Sequence, residues 1–231
     1  MKSRASKATL LLSLVLLAGF LLGLAWPRFQ ASFRYLPVDR AIDRYYVSRE
    51  IPSNRLEVLI RFAEQAIDYN DHYRYYDGLS TLHLLRAQDI NTPALERRGA
   101  YESAEREAKA SVERAPAQPA AWLRLATIRW ILHDEPEAVI SAWKMSAYTG
   151  RTDSSLMAQR VAIGLAFFSF LDDEGMGLLR DQLLLAWRLQ PGSLMSVLSR
   201  TDRQLIVTRQ LVKNIDPDAL MELEMWLERV R

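Results

Sequence analysis

A chain of 231 residues with 49% hydrophobic side chains has room for an ordinary domain and an appendage, which excludes disorder as its main state. Thirty Lys and Arg against 28 Asp and Glu leave a net charge of +2, so a surface tracking nucleic-acid phosphates over the whole molecule is excluded and no nucleic acid is expected as a partner. There is no cysteine, which removes disulfides, thiolate catalysis and the usual zinc and iron–sulfur ligand sets.

The chain opens on MKSRASKATLLLSLVLLAGFLLGLAW, in which Lys2, Arg4 and Lys7 precede an uncharged run from Ala8 to Trp26. A helix needs about 20 such residues to cross a bilayer core of roughly 30 Å. Residues 1–27 therefore read as a cytoplasmic tip and transmembrane anchor, with the membrane contacted through residues 8–26. The positive-inside rule keeps the amino end cytoplasmic and exports the remainder. A cleaved signal peptide is the rival reading, since Gly23-Leu24-Ala25 offers small residues to a peptidase. The anchor is preferred because the run is long for a signal sequence and Trp26 with Arg28 suits an interfacial position. Without Lys2, Arg4 and Lys7 the exported part holds 27 basic and 28 acidic residues, too even a balance for strong adhesion to acidic lipid.

Residues 28–52 mix aromatics, arginines and two prolines, and read as a membrane-proximal stalk followed by a short helix. Residues 53–231 are expected to form one α-helical repeat domain. Pro52 and Ser53 open its first helix, in which Leu56, Leu59, Ile60, Ala63 and Ile67 recur at the spacing of one buried face. A second arm is predicted from about Asp71 to Gln88, with Tyr75, Tyr76, Leu79, Leu82 and Leu85 at helical intervals. In DINTP, Thr92 is the predicted N-cap and Pro93 the first helical residue of a segment reaching about Arg114. Further helices are bounded by RAPAQP, HDEP, YTGRTDSS, LDDEGMG, LQPG and NIDPD. No stretch sustains period-two alternation, so the fold class is all-α, an N-terminal transmembrane helix followed by a solenoid of helical hairpins.

Within residues 119–152, Trp122, Leu125, Ala126 and Ala138 occupy the fourth, seventh, eighth and twentieth places of a 34-residue unit counted from Pro119. One period earlier stand Ala104, Ala108 and Pro116, and further on Ala186 precedes Pro191. This resembles a degenerate tetratricopeptide repeat over about residues 85–192, departing from the pattern at Arg129 and Met145 and stretching beyond 34 residues across 150–191. The resemblance implies a curved stack of helix pairs with neighbour contacts dominating. By overall layout, anchor, stalk and helical-repeat domain also resemble the small accessory proteins of bacterial exopolysaccharide biosynthesis, the VpsP-type family among them. That implies a protein of the bacterial inner membrane with its helical domain in the periplasm, working with protein partners of an envelope complex such as polysaccharide synthesis and export proteins.

Chemistry-bearing patterns are sparse. The histidines are His72, His83 and His133; the first two, on one helix, would stand about 16 Å apart, too far to share a metal. HExxH, glycine-rich phosphate loops, GxSxG and CxxC are missing from the sequence. The expectation is a non-catalytic scaffold with no cofactor and no metal. LDDEG at 171–175 reads as a charged helix start. YNDHYRYYDG at 69–78 interleaves tyrosines with Asp71, His72, Arg74 and Asp77, so Tyr69, Tyr73 and Tyr76 are candidates for binding a partner or a glycan. Arg124, Thr127 and Arg129 mark a second candidate surface. Trp122, Trp130, Trp143, Trp187 and Trp226 read as packing residues. Two rival functions stay open, a tetratricopeptide-type cytochrome c maturation factor and a glycan-binding protein.

Overall fold

A computed structural model describes residues 2–48, 51–198 and 202–213, together with 218, 221, 222, 224 and 225. Trp226 and most of the NIDPD break lie outside the described residues. The elements are α1 (Lys2–Ser48), α2 (Ser53–Tyr69), α3 (Tyr73–Gln88), α4 (Ala94–Arg114), α5 (Pro119–Leu132), α6 (Pro136–Thr149), α7 (Ser154–Ala166), a 3-10 turn (Phe168–Phe170), α8 (Asp173–Leu189), α9 (Pro191–Leu198) and α10 (Asp202–Lys213). No strand occurs among the described residues, and the all-α hairpin plan read from the sequence is the observed one. The chain divides into two compact units, residues 1–114 and 115–231.

In the first unit, residues 28–48 continue α1, which runs unbroken through Pro27 and Pro37. Proline inside a helix costs about 3 kcal/mol, so something must offset it. Ala31, Tyr35 and Val38 are buried in one core with Leu56, Leu59, Ile60 and Ala63 of α2 and Tyr75, Leu79 and Leu82 of α3, with Ile42 packed against it. That stripe recurs every three to four residues, the period of one helix face. Polar contacts reinforce it: Arg34 Nη1 donates to Gln65 Oε1 at 2.7 Å, Arg74 pairs with Asp39 at 2.5 Å, and the Tyr35 hydroxyl donates to the Arg74 carbonyl at 3.1 Å. Gly78 makes the approach possible, because a Cβ there would collide with the Tyr35 hydroxyl and ring.

α2 buries the predicted face with Ala66 added and Ile67 only half-buried. α3 buries more of its circumference than one stripe, including Ser80, Thr81, His83 and Ala87, because it lies between α2 and α4. Ser80 Oγ donates to the Ala104 carbonyl at 2.8 Å, and Ala104 and Ala108, small enough to let α4 come close, are fully buried. Thr92 does not cap α4 as predicted. Its hydroxyl donates backwards to the Arg86 carbonyl at 2.7 Å, satisfying the end of α3, while the Pro93 carbonyl receives the first amides of α4 from Glu96 and Arg97.

In the second unit the 34-residue pattern fits α5 and α6 well. Ala126 is fully buried, and Trp122 Nε1 donates to the Pro116 carbonyl at 2.7 Å, tying the aromatic to the closing proline. His133 ends α5 in the left-handed conformation at φ 61°, the geometry that lets the short HDEP turn reverse the chain. One period earlier the pattern fails in part: Ala104 and Ala108 lie on α4, but residues 89–93, which the pattern puts inside a helix, form the α3–α4 turn. The stretch across 150–191 has a local cause, the longer α7–α8 turn with its 3-10 segment at Phe168–Phe170. Trp143 is 1% exposed, donates from Nε1 to the Arg160 carbonyl at 2.8 Å, and packs with Leu179 over Gly164, where a Cβ would lie 2.7 Å from Leu179 and 3.0 Å from Trp143. Full burial of a tryptophan removes enough apolar area to stabilise a core by about 4 kcal/mol before the cost of ordering it.

Two predictions follow from this packing. Gly78→Ala should lower the unfolding free energy by about 1–2 kcal/mol despite the helix propensity it gains, because overpacking against Tyr35 outweighs that gain. Adding Tyr35→Leu should relieve the clash, which a double-mutant cycle of denaturant unfolding measures; simple additivity of the two changes refutes the close approach. The second concerns His83, whose pKa is pulled down from its ordinary 6.5 to about 4 by burial and by Arg106 and Arg86. The unfolded chain binds the proton first as pH falls, so stability should drop between pH 6.5 and 4 by on the order of 3 kcal/mol. His83→Gln should flatten that fall in a pH series of unfolding curves, and an unchanged slope counts against the assignment.

Candidate functional site

The tyrosine-rich segment forms the end of α2, the α2–α3 turn and the start of α3. His72 occupies the N-cap position of α3, its Nδ1 accepting the Arg74 amide at 3.3 Å, and its ring lies 4.6 Å from that of Tyr73 and 5.7 Å from that of Tyr75. Tyr75 is buried and its ring centroid is 4.9 Å from that of Tyr35. Tyr76 is engaged within the fold: the Arg114 guanidinium sits 4.1 Å above its ring and donates to its hydroxyl at 3.2 Å, while the same arginine forms a two-pronged pair with Asp71. Hydrogen bonding to Arg114 holds the Asp71 carboxyl below its usual range; burial pushes the Tyr76 hydroxyl up, with the Asp71 contact adding to it. Asp71, Tyr76 and Arg114 therefore clasp the α2–α3 turn to the end of α4. Of the three candidate tyrosines, Tyr69 is exposed, Tyr73 half-exposed, and Tyr76 committed to this clasp.

The second candidate set does not share one face. Thr127 donates to the Leu123 carbonyl at 2.8 Å and accepts from Gln159 Nε2 at 2.8 Å, which directs it towards α7. Arg129 turns the other way, donating from Nη1 to the Ala138 carbonyl at 3.1 Å near the start of α6, with Asp134 4.0 Å from its Nε. Residues two apart on a helix lie about 200° apart around the axis, which is why Thr127 and Arg129 separate. Arg124, three residues before Thr127, shares its side and is half-buried. Thus Arg124 and Thr127 line the α5–α7 face, and Arg129 locks the α5–α6 turn.

Two features were not singled out from sequence. The first is an open cleft of about 370 Å³ on α6, lined by Ile140, Met145 and Phe170 and by Lys144, Tyr148 and Asp172. Lys144 Nζ lies 2.8 Å from Asp172 and 2.6 Å from Glu174, and the Tyr148 hydroxyl donates to Glu174. Burial works against the Lys144 charge, but the two carboxylates outweigh it and raise its pKa, while Lys144 lowers both of theirs. The three charges thus stabilise one another. Asp172 also accepts the Gly175 amide at 2.8 Å, so LDDEG begins α8 as expected from its carboxylates. Lys144 and Glu174 are 30 positions apart, a separation that leaves no local sequence signal.

The second is Arg160, fully buried in α7. Its Nε donates to Ser146 Oγ at 2.9 Å and its Nη1 to the Gly150 carbonyl at 2.8 Å and Gln182 Oε1 at 3.1 Å, while Nη2 has no hydrogen-bond partner. Burial draws its pKa down, opposed by Asp153. The charge is accommodated at the carboxyl end of α6, where the carbonyls and the helix dipole favour a cation. An arginine interrupting the apolar run of α7 was the available signal. Arg151 pairs with Asp181 alongside, at 2.9 and 2.5 Å, and the Gln182 amide donates to the Arg151 carbonyl at 3.1 Å, closing a network among α6, α7 and α8. Among the described residues, no group of three or more His, Asp or Glu is placed to hold a metal ion.

No family model matches the chain, and no curated protein does. Among solved structures, the chain is similar to the crystal structure of YrrB, described as a TPR protein with an unusual peptide-binding site, at 13% identity and a TM-score of 0.45, over 74% of this chain and 84% of that one.

Arg160→Ala should cost about 2–4 kcal/mol of stability, because it opens a cavity and leaves Gly150 and Gln182 unsatisfied in the core. Thr127→Ala, at the edge of the α5–α7 face, should cost under about 1 kcal/mol. Thermal unfolding of the two variants beside the parent measures the contrast, and equal losses would show that the Arg160 network does not hold α6, α7 and α8 together.

Proposed function

We propose that the chain is a non-catalytic scaffold anchored once in the bacterial inner membrane, presenting its helical hairpins in the periplasm to protein partners of an envelope assembly such as exopolysaccharide synthesis or export. The observation that carries this reading is the continuity of α1. Its side chains from Leu12 to Phe29 are exposed in this chain, its apolar part reaches a mean hydropathy of 1.7 and is long enough to cross a membrane, and the same helix then enters the core of the first unit. An exposed apolar helix needs a covering medium, and a bilayer supplies one. Hairpin units with polar outer helix faces are suited to holding other proteins, and the ion clusters found are satisfied internally. The α5–α7 face around Arg124 and Thr127 is the proposed partner surface; Tyr69 and Tyr73 are the exposed remainder of the tyrosine segment.

Crosslinking the full-length protein in native membranes, then identifying what is recovered, tests this reading. Polysaccharide synthesis or export proteins should be enriched, and Arg124→Glu should reduce their recovery while leaving the membrane fraction unchanged. Recovery of cytochrome c maturation components in their place would assign the chain to that class, and retention of a purified glycan that weakens on Tyr73→Ala would favour a sugar-binding role.

A further inference from the structure

The scaffold reading leaves the tyrosine-rich turn without a role, and its position in the first unit gives it one. α2 runs back along α1, so that Arg34 meets Gln65, Ser32 Oγ lies 3.4 Å from the Tyr75 hydroxyl, and the Tyr35 hydroxyl reaches the Arg74 carbonyl. These contacts fix the turn between Tyr69 and Tyr73 beside residues 31–35 of α1, roughly 10 Å along the helix from Trp26. The opposite end of the same bundle carries Ile90 and Leu95, both exposed, and there Asn91 bonds to Ser53. The 16 residues of α3 separate these two ends by about 24 Å.

α1 carries a second aromatic feature at the same level. Trp26, Phe29 and Phe33 form an exposed ladder with successive ring centroids 5.9 and 6.3 Å apart, and Leu36 follows on that face. The ladder continues the exposed apolar side chains of Leu12 to Leu24 and lies opposite the buried Ala31–Tyr35–Val38 stripe. Helical side chains lean towards the amino end, so the Phe29 and Phe33 rings reach back towards the apolar run. A bilayer has an interfacial layer of about 5–8 Å beyond each face of its hydrocarbon core, and aromatic rings concentrate there.

We propose that the Phe29–Phe33 ladder and the α2–α3 turn with Tyr69 form an aromatic collar around α1, seating the first unit against the outer edge of the interfacial layer of the phospholipid bilayer that α1 crosses. The proposal rests on the reading of α1 as a membrane span. The occupant is lipid because the ladder is continuous with the span and flanks it on the side away from the protein core. The collar converts a single-helix tether, free to tilt, into a mount that holds the first unit at a fixed height above the membrane.

The absence of cysteine allows single-cysteine spin labelling of the full chain. Leu17→Cys, Phe33→Cys, Tyr69→Cys and Leu95→Cys are each reconstituted in vesicles of phosphatidylethanolamine and phosphatidylglycerol, and label depth is read from accessibility to oxygen and to a water-soluble nickel chelate. The Leu17 label should lie in hydrocarbon, the Phe33 and Tyr69 labels at headgroup depth with nickel accessibility several-fold below that at Leu95. Labels at Phe33 and Tyr69 as nickel-accessible as at Leu95, with Leu17 still shielded, would overturn the collar and leave the anchor standing. A nickel-accessible Leu17 label would overturn the anchor itself. Circular dichroism confirms that each variant keeps its helices, and Asn70→Cys reads the same turn if Tyr69→Cys does not fold.

Discussion

The first unit depends on Tyr35 lying against Gly78. That approach brings α1 within packing distance of α3, where Arg74 pairs with Asp39, while Ala31 and Val38 are buried in the core shared with α2 and Arg34 bonds to Gln65 of α2. Only a residue without Cβ leaves room for the ring, and only a tyrosine delivers a hydroxyl to the Arg74 carbonyl while burying its body. Residues 28–48, whose composition reads as a stalk followed by a short helix, are held in α1 by that core. With it, an exposed apolar helix and a packed core helix are the same element, and no flexible joint lies between them.

The second unit is organised around a different constraint, a buried cation. Arg160 needs acceptors on several sides, and the end of α6, Ser146 and Gln182 supply them. Trp143 caps the arrangement by donating to the Arg160 backbone while its ring fills the space that Gly164 leaves against Leu179. Hydrophobic burial is not directional, so it does not by itself fix how α6, α7 and α8 turn about their axes. Hydrogen bonds to a buried guanidinium are directional, and a misplaced helix would leave them unmade at substantial cost.

Charged groups elsewhere follow the same logic. Asp71 and Tyr76 with Arg114, Lys144 with Asp172 and Glu174, and Arg129 with the Ala138 carbonyl each tie a turn or a helix end to a neighbour. Several residues that stand out by composition are thereby absorbed into the architecture. Tyr76 and Arg129 are the clearest instances among the candidate site residues. Tyr69 is exposed, and Tyr73, Arg124 and Thr127 are half-buried.

Local chemistry settled a good deal without any fold. The apolar run to Trp26, the helix boundaries at Pro52, RAPAQP, HDEP and YTGRTDSS, the buried face of α2 and the carboxylate start of α8 are all set by residues close in sequence, because solvation, capping and proline geometry act over a few residues. The 34-residue spacing from Pro119 likewise marked the α5–α6 hairpin. Tertiary structure alone decided that α1 continues past Pro27 and Pro37, that Thr92 bonds backwards, that Arg129 and Thr127 face apart, and that Lys144 meets Glu174 30 positions away. Each of those outcomes depends on a neighbouring helix whose position is fixed by packing between residues distant in the chain, and such packing leaves no mark within the few residues over which propensity acts.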